Sequence, residues 1–346
     1  MHVIFLSETD ATQRDWLVYK DEIAFSYSVL PSRRWRMRGY HCLLNWGMRA
    51  ALRRQAPDVV VCGGYSYLAS WTAQAWARRR QVRFLAWVES TLKDKRRGHL
   101  VVERLKRRFM DGCNGFVVPG RASAEYVKSY GRQDSEIFVA PNAVDNERFS
   151  RGAQAARDRA GSRNLLGVPQ RFFLFVGRLV KAKGVFDLLE AYGQLAPELR
   201  AEWGLVFAGD GPARKQLEKR AARIGGEVVF AGFVQRDQLA SYYGLADVLV
   251  FPTYSDTWGL VVNEALACGL PVIAARAAGC ADDLVQDGCS GYLLDAGNVA
   301  QLRAAMEKLA QEPELRREMG RRGREIIANY SPEACAEGLA LAAEGA

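Results

Sequence analysis

Four charged residues could do chemistry here, and the spacing of two of them is the first clue. Asp256 and Glu264 lie eight residues apart in FPTYSDTWGLVVNEALACGLPVIAA, residues 251–275. The pattern predicts a strand end, a loop, a helix opening at Gly259, a stop at Gly269 and a buried strand over 272–275 after Pro271. Asp256 then sits in the loop and Glu264 inside the helix, so a ligand at the helix N-terminus can meet both. Free N–H groups near Gly259 and Leu260 suit an anion such as a phosphate. A plainer reading also fits: Asp256 caps the helix and Glu264 is solvated. The stretch by itself leaves both open.

The other two charges are Arg178 and Lys183, in FVGRLVKAKG over 175–184. A buried strand ends at Gly177, where a ligand can approach the backbone. Arg178 offers a planar fork and Lys183 a mobile point charge, a pairing that suits a diphosphate. Two solvated basic residues in a turn are the alternative. A third loop, Gly209-Asp210-Gly211-Pro212, follows another buried strand and is by itself only a tight turn. It is not the GxGxxG of dinucleotide binders.

These loops need elements to hold them, and the chain supplies a repeated rhythm. Apolar runs near 3–6, 59–62, 82–88, 115–118 and 137–140 alternate with helical stretches, which predicts a parallel sheet covered on both faces. Residues 145–168 are polar and lack a strand, so they read as a linker with a short helix. The rhythm then restarts at 172–176 and runs through 203–208, 228–230, 248–251 and 291–294. A last helix starts at Pro332. Ligands of such sheets bind at the carboxyl ends of the strands, where the Gly-rich turns fall.

The totals agree with a globular protein. The chain has 346 residues, 49% hydrophobic and 25% charged, enough for two cores. No apolar run reaches the length of a membrane helix. The N-terminus turns acidic too soon for a secretory signal and reads as a first strand. Seven Cys without a CxxC pair predict neither a disulfide framework nor structural zinc. The charge is lopsided: residues 1–150 carry 25 Lys and Arg against 15 Asp and Glu, whereas the remainder is close to neutral. That suggests two modules with different partners.

Taken together, GRLVKAKG (177–184), AGDGP (208–212), AGFV (231–234) and SDTWGLVVNEALACGLPVIA (255–274) resemble the donor-binding half of glycosyltransferase family 4. Residues 140–145, APNAVD, resemble its interdomain signature. The resemblance implies an α/β protein of the GT-B fold, two doubly wound Rossmann-like domains facing across a cleft. The expected division is an acceptor domain with linker over 1–165, a nucleotide-sugar domain over 166–330, and a C-terminal helix over 331–346 packing back across both.

It further implies a retaining, metal-independent sugar transfer from a UDP- or GDP-sugar to a carbohydrate or lipid-linked acceptor. Such an enzyme would serve surface polysaccharide or glycolipid synthesis. The donor is a substrate, and no cofactor is expected. Arg178 and Lys183 would hold the diphosphate and carry the charge that grows on it. Asp256 would bond the sugar's hydroxyls and Glu264 the ribose hydroxyls. Gly177, Gly211, Gly259, Leu260 and Val261 would line the donor, with Phe233 and Val234 beside the base.

Two departures qualify the match. The first acid is Asp256, where the family usually has Glu, so its reach is one methylene shorter. The usual cleft histidine after the fourth strand is also missing. Trp87-Val88-Glu89-Ser90-Thr91 stands there, leaving Glu89 or Ser90 as substitutes on the acceptor side, with Gly63 and Gly64 after the preceding strand. Ser7-Glu8-Thr9-Asp10 replaces the usual Gly-Gly loop. His99, in a basic loop, reads as an exposed histidine.

A basic face remains. Residues 31–54 hold seven Arg, including Arg33, Arg34, Arg36 and Arg38, no acid, and interleaved Trp35, Tyr40 and Trp46. A second run, from Lys93 to Arg108, holds eight basic residues against two acids. One reading is a solvated basic helix face. Another is docking on anionic lipid, where basic residues with Trp and Leu suit the headgroup boundary. Nucleic acid is not expected, because no recognition motif accompanies the charge. The expected location is cytoplasmic, with peripheral docking on the inner membrane's cytoplasmic face as the lipid reading requires. Outside this scheme stand a sucrose- or trehalose-type synthase with a soluble acceptor, and a non-catalytic nucleotide-sugar or nucleic-acid binder on the same scaffold.

Overall fold

A computed structural model describes residues 1–7, 20–37, 40–93 and 100–345. The front part contains β1 (His2–Phe5), β2 (Ser26–Val29), β3 (Ser32–Met37), β4 (Tyr40–Asn45), β5 (Val59–Cys62), β6 (Arg83–Trp87), β7 (Gly115–Val118) and β8 (Ile137–Val139). β5 to β8 form a parallel four-stranded sheet in sequence order. Side chains alternate across it. Phe84, Ala86, Phe116 and Val118 face a core shared with Leu52, Ala73 and Phe109. Leu85 and Val117 face the other way, toward Ala140 and Ala342. Ala342 belongs to the last helix, Pro332–Glu344, which returns to cover the front sheet. Arg83 Nε donates to the Ala342 carbonyl at 3.1 Å and ties the helix down.

Residues 31–54 overturn the reading of a basic helix face. β3 and β4 pair antiparallel, Arg33 opposite Leu44 and Trp35 opposite Cys42, and only Met48–Gln55 is helical. Arg and apolar residues alternate with a period of two through Arg34-Trp35-Arg36-Met37, and aromatic and branched residues favour a pleated surface. Arg33, Trp35 and Leu44 share one face of this hairpin and are exposed. Arg38, the side chain of Arg36, the loop 8–10 and residues 94–99 lie outside the described residues.

The back part holds β9 (Phe172–Val176), β10 (Gly204–Ala208), β11 (Val228–Gly232), β12 (Val248–Phe251), β13 (Val272–Ala275) and β14 (Gly291–Leu294). All are parallel, in the order β11-β10-β9-β12-β13-β14. Counted from β9 this is 3-2-1-4-5-6, the doubly wound order of dinucleotide-binding sheets, and the order reverses between β9 and β12. β9 is buried throughout. Phe172, Leu174 and Val176 enter one core, while Phe173 and Phe175 enter the core on the opposite face.

The polar crossover between the two sheets is helical. Asn146–Asp158 packs along Arg236–Leu245 and puts Phe149, Ala153 and Ala156 into the core of the back sheet. Asp145 caps it by accepting from Arg148 N–H at 2.8 Å. Residues 299–327 form two helices, Val299–Gln311 and Pro313–Ile327, because Pro313 starts a new first turn where its missing N–H is harmless.

Candidate active site

The loops after β9, β10 and β12 meet at the point where the strand order reverses. Backbone contacts hold them. Leu179 N–H donates to the Asp210 carbonyl at 2.9 Å, and Tyr254 N–H donates to the Ala182 carbonyl at 2.9 Å. Glycine makes the approach possible. A Cβ on Gly209 (φ +155°) would lie 1.9 Å from the Gly177 carbonyl oxygen, and one on Gly184 (φ +70°) would lie 2.0 Å from that of Pro252. The three loops are therefore a single backbone-to-backbone unit, and no side chain can separate them.

Charge is laid on this frame. Lys183 forms an ion pair with Asp256, joining the loop after β9 to the loop after β12. Its ammonium also lies 5.9 Å from the centre of the Phe251 ring. Arg178 is exposed one residue beyond Gly177. The capping reading of Asp256 is overturned: the residue before the helix Leu260–Ala267 is Gly259, and no side chain caps it. Leu260 is exposed and Val261 half-buried at the open first turn. Phe233 is exposed and Val234 half-buried in the loop after β11, next to the turn that holds Gly211.

Glu264 is also not solvated in the way of a surface acid. It is partly buried, one turn into the helix, and Tyr243 O–H donates to its Oε2 at 2.6 Å. Burial pushes its carboxyl up to about 7, against the lowering effect of the Tyr243 bond. The preceding residue, Asn263, is fully buried. Its Oδ1 accepts from Trp258 Nε1 at 2.9 Å, and its Nδ2 donates to the Asn142 carbonyl at 2.8 Å. At the far end of the same helix, Arg157 donates to the Cys268 carbonyl at 2.8 Å, satisfying a terminal acceptor with a cation.

The front sheet meets this site through the loops after β6, β7 and β8. Glu89 is exposed and Ser90 half-buried in the loop after β6. From the same loop Lys93 donates to Asp282 at 2.9 Å and to the Ala278 carbonyl at 3.3 Å. After β7, Arg121 N–H donates to Asp283 Oδ2 at 3.1 Å, so a carboxylate of the back part caps a helix of the front part. Burial pushes Asp283 up to about 6. Gly63 and Gly64 follow β5 with open space around them.

Arg178, Lys183 and Asp256 are thus brought to one edge with the helix that carries Glu264. Trp258 and Asn263 lie inside the motif singled out above, yet nothing in its spacing marked them as a bridge to Asn142. Tyr243 and Asp283 were missed altogether; a hydroxyl and a carboxylate on buried faces were the only signals.

Comparison with known proteins agrees with this geometry. Residues 2–148 match the family model "Glycosyltransferase Family 4", and residues 158–326 match "Glycosyl transferases group 1". The chain is 36% identical over 190 residues to the sulfoquinovosyl transferase SQD2 of Arabidopsis thaliana, covering 54% of this chain and 36% of the relative. It is 36% identical over 208 residues to a D-inositol 3-phosphate glycosyltransferase of Streptomyces bingchenggensis, covering 57% of this chain and 45% of the relative. The matched stretch therefore spans less than half of either relative. Among solved structures, Anabaena HepE in complex with UDP superposes with a TM-score of 0.73 at 19% identity, over 86% of this chain and 82% of the other.

Proposed function

The chain belongs to glycosyltransferase family 4 and has the GT-B fold, and from that premise we propose that it is a retaining, metal-independent glycosyltransferase using a UDP- or GDP-sugar. The observation that carries this is the meeting of Arg178, Lys183, Asp256 and the Glu264 helix at the switch point of the back sheet. Arg178 and Lys183 bind the diphosphate. As the bond between the sugar C1 and the phosphate oxygen breaks, negative charge grows on that oxygen, and both cations stabilise it. Such fixed charges in a cleft supply several kcal/mol without reorganisation.

The acceptor hydroxyl attacks C1 from the face the phosphate leaves, and its proton passes to the departing phosphate oxygen. One C–O bond forms as another breaks, and configuration is retained. Asp256 holds the sugar's hydroxyls and Glu264 those of the ribose. Gly177, Gly211, Gly259, Leu260 and Val261 bring backbone against the donor, and Phe233 and Val234 flank the base. Glu89, Ser90, Gly63 and Gly64 line the acceptor side. No cofactor takes part. The test is thermal stabilisation by UDP or GDP. Arg178→Ala and Lys183→Ala should abolish it, and no stabilisation of the wild type by either nucleotide sinks the donor assignment.

The acceptor reading is a carbohydrate or lipid-linked group for surface polysaccharide or glycolipid, presented at the cytoplasmic face of a membrane. Its support is an apolar and basic surface on the front part. Trp46 is 53% exposed, Leu100 86% and Val101 60%, and Arg33, Arg34, Arg104 and Arg108 are exposed as well. Exposed aliphatic and Trp residues among cations suit an anionic headgroup layer. No described helix is long and apolar enough to cross a membrane. Flotation with anionic vesicles should succeed for the wild type and fail when Arg33, Arg34, Arg36 and Arg38 are reversed to Glu. Flotation unchanged by that reversal removes the lipid reading.

A further inference from the structure

Glu264 presents an unusual problem for a residue meant to accept hydrogen bonds from a ligand. It is a desolvated carboxylate, and among the described residues no cation pairs with it. Two titratable groups face it. One is the Cys268 thiol, a turn further along its own helix. The other is Tyr243, from the helix Arg236–Leu245 packed against it. Arg157, near the end of the Glu264 helix, is turned to the Cys268 carbonyl.

Tyr243 is held rigidly. It is fully buried. Its ring meets that of Phe149 edge-on, with centroids 6.0 Å apart at 72°. Phe149 belongs to the crossover helix, so Tyr243 is wedged between that helix and the helix of Glu264. With a single torsion left to the hydroxyl, its proton points at Glu264 Oε2. At 2.6 Å the contact lies in the short range expected for a hydroxyl donating to a carboxylate.

We infer that Tyr243 is a positioning residue for donor binding: its hydroxyl occupies Oε2 of Glu264, fixes the carboxylate rotamer, and leaves Oε1 to accept from the hydroxyls of the nucleotide-sugar. A neutral donor suits this task. It stabilises the charged form of Glu264 without competing for the lone pairs that the ligand needs, as a lysine or arginine fork would. Burial raises the phenol's own titration well above its ordinary value, so it remains a donor across the working range. The inference rests on the reading of Glu264 as the acceptor for ligand hydroxyls.

The experiment is calorimetric binding of UDP and of GDP between pH 5.5 and 8.5, for wild type, Glu264→Gln and Tyr243→Phe. Wild-type affinity should fall as the pH drops through the titration of Glu264. Tyr243→Phe should bind about tenfold more weakly at neutral pH, the loss of one hydrogen bond to a charged group, with its acid limb moved to higher pH. Site-specific 3,5-difluorotyrosine at 243, a stronger donor of the same shape, should move the limb the other way. That second variant separates hydrogen bonding from packing. If Glu264→Gln weakens binding but Tyr243→Phe keeps both the affinity and the limb of the wild type, Tyr243 has no positioning role. If Glu264→Gln binds as the wild type does, the reading of Glu264 fails, and this inference with it.

Discussion

Lys183 and Asp256 neutralise each other across two loops of the back sheet. On the function proposed above, each would partner a different part of a nucleotide-sugar, and ligand would take the place of the pair. Removing Asp256's charge frees Lys183 for the diphosphate. Asp256→Asn should therefore keep nucleoside diphosphate binding within about twofold of the wild type while transfer falls by about 100-fold, as expected when an interaction made mainly in the transition state is lost. Asp256→Glu tests reach rather than charge. Near-normal kcat would show that only the charge matters; a large loss would tie the shorter side chain to this enzyme's own donor.

Asn263 gives a stability prediction. Its side chain satisfies an indole N–H and a backbone carbonyl where no water reaches. Asn263→Leu has similar volume but orphans both groups. Leaving buried polar groups unpaired costs about 1–3 kcal/mol each, so the urea midpoint should drop accordingly. A midpoint unchanged from wild type would show that the two groups find other partners.

The cross-domain contacts predict a change of shape with little change of stability. Lys93 and Asp282 form a half-exposed pair, and such pairs contribute about 0–1 kcal/mol. Lys93→Ala should leave the melting temperature nearly constant. Combined with Asp283→Ala, it should raise the radius of gyration measured by small-angle scattering, because the loops after β6 and β7 lose their partners. An identical scattering curve would mean that the bond from Asn263 to the Asn142 carbonyl suffices to hold the cleft.

The pH dependence of stability follows from Glu264. Its carboxyl is raised from an ordinary 4.5 to about 7 by burial. The folded state therefore keeps a proton that the unfolded chain releases, and stability of the ligand-free protein falls as pH rises through that window. Asp283, raised from 3.8 to about 6, adds a fall with the same sign at lower pH. Glu264→Gln should flatten the upper part of the curve and raise the melting temperature at pH 8. A variant whose melting temperature varies with pH as the wild type does would place the titration elsewhere.

Much of this site was legible in the sequence because it is local. Gly177 and Gly209 each sit where a buried strand gives way to a loop, Gly259 sits where a loop gives way to a helix, and the charged residues follow close behind them. What escaped was long-range or masked by composition. Tyr243 reads as one more aromatic on a buried helix; only folding brings it to Glu264, 21 residues away. Asn263 reaches Asn142 across 121 residues. The hairpin of β3 and β4 was hidden because Arg is tolerated on helices and strands alike, so charge drew attention away from the two-residue period of Trp35 and its neighbours.

The chain passes between the two sheets twice, once at 140–145 and again near 328–332. Asn146 staples the crossings together: its Nδ2 donates to the Ile327 carbonyl at 3.0 Å and lies 3.4 Å from that of Tyr330. Two tethers side by side act as the pin of a door. Turning one half against the other would bend the chain at both crossings, beside Asn146. The Asn142 carbonyl held by Asn263 is only four residues from Asn146 along the chain. The helix of Glu264 is thus bonded to the crossing itself, through Asn263.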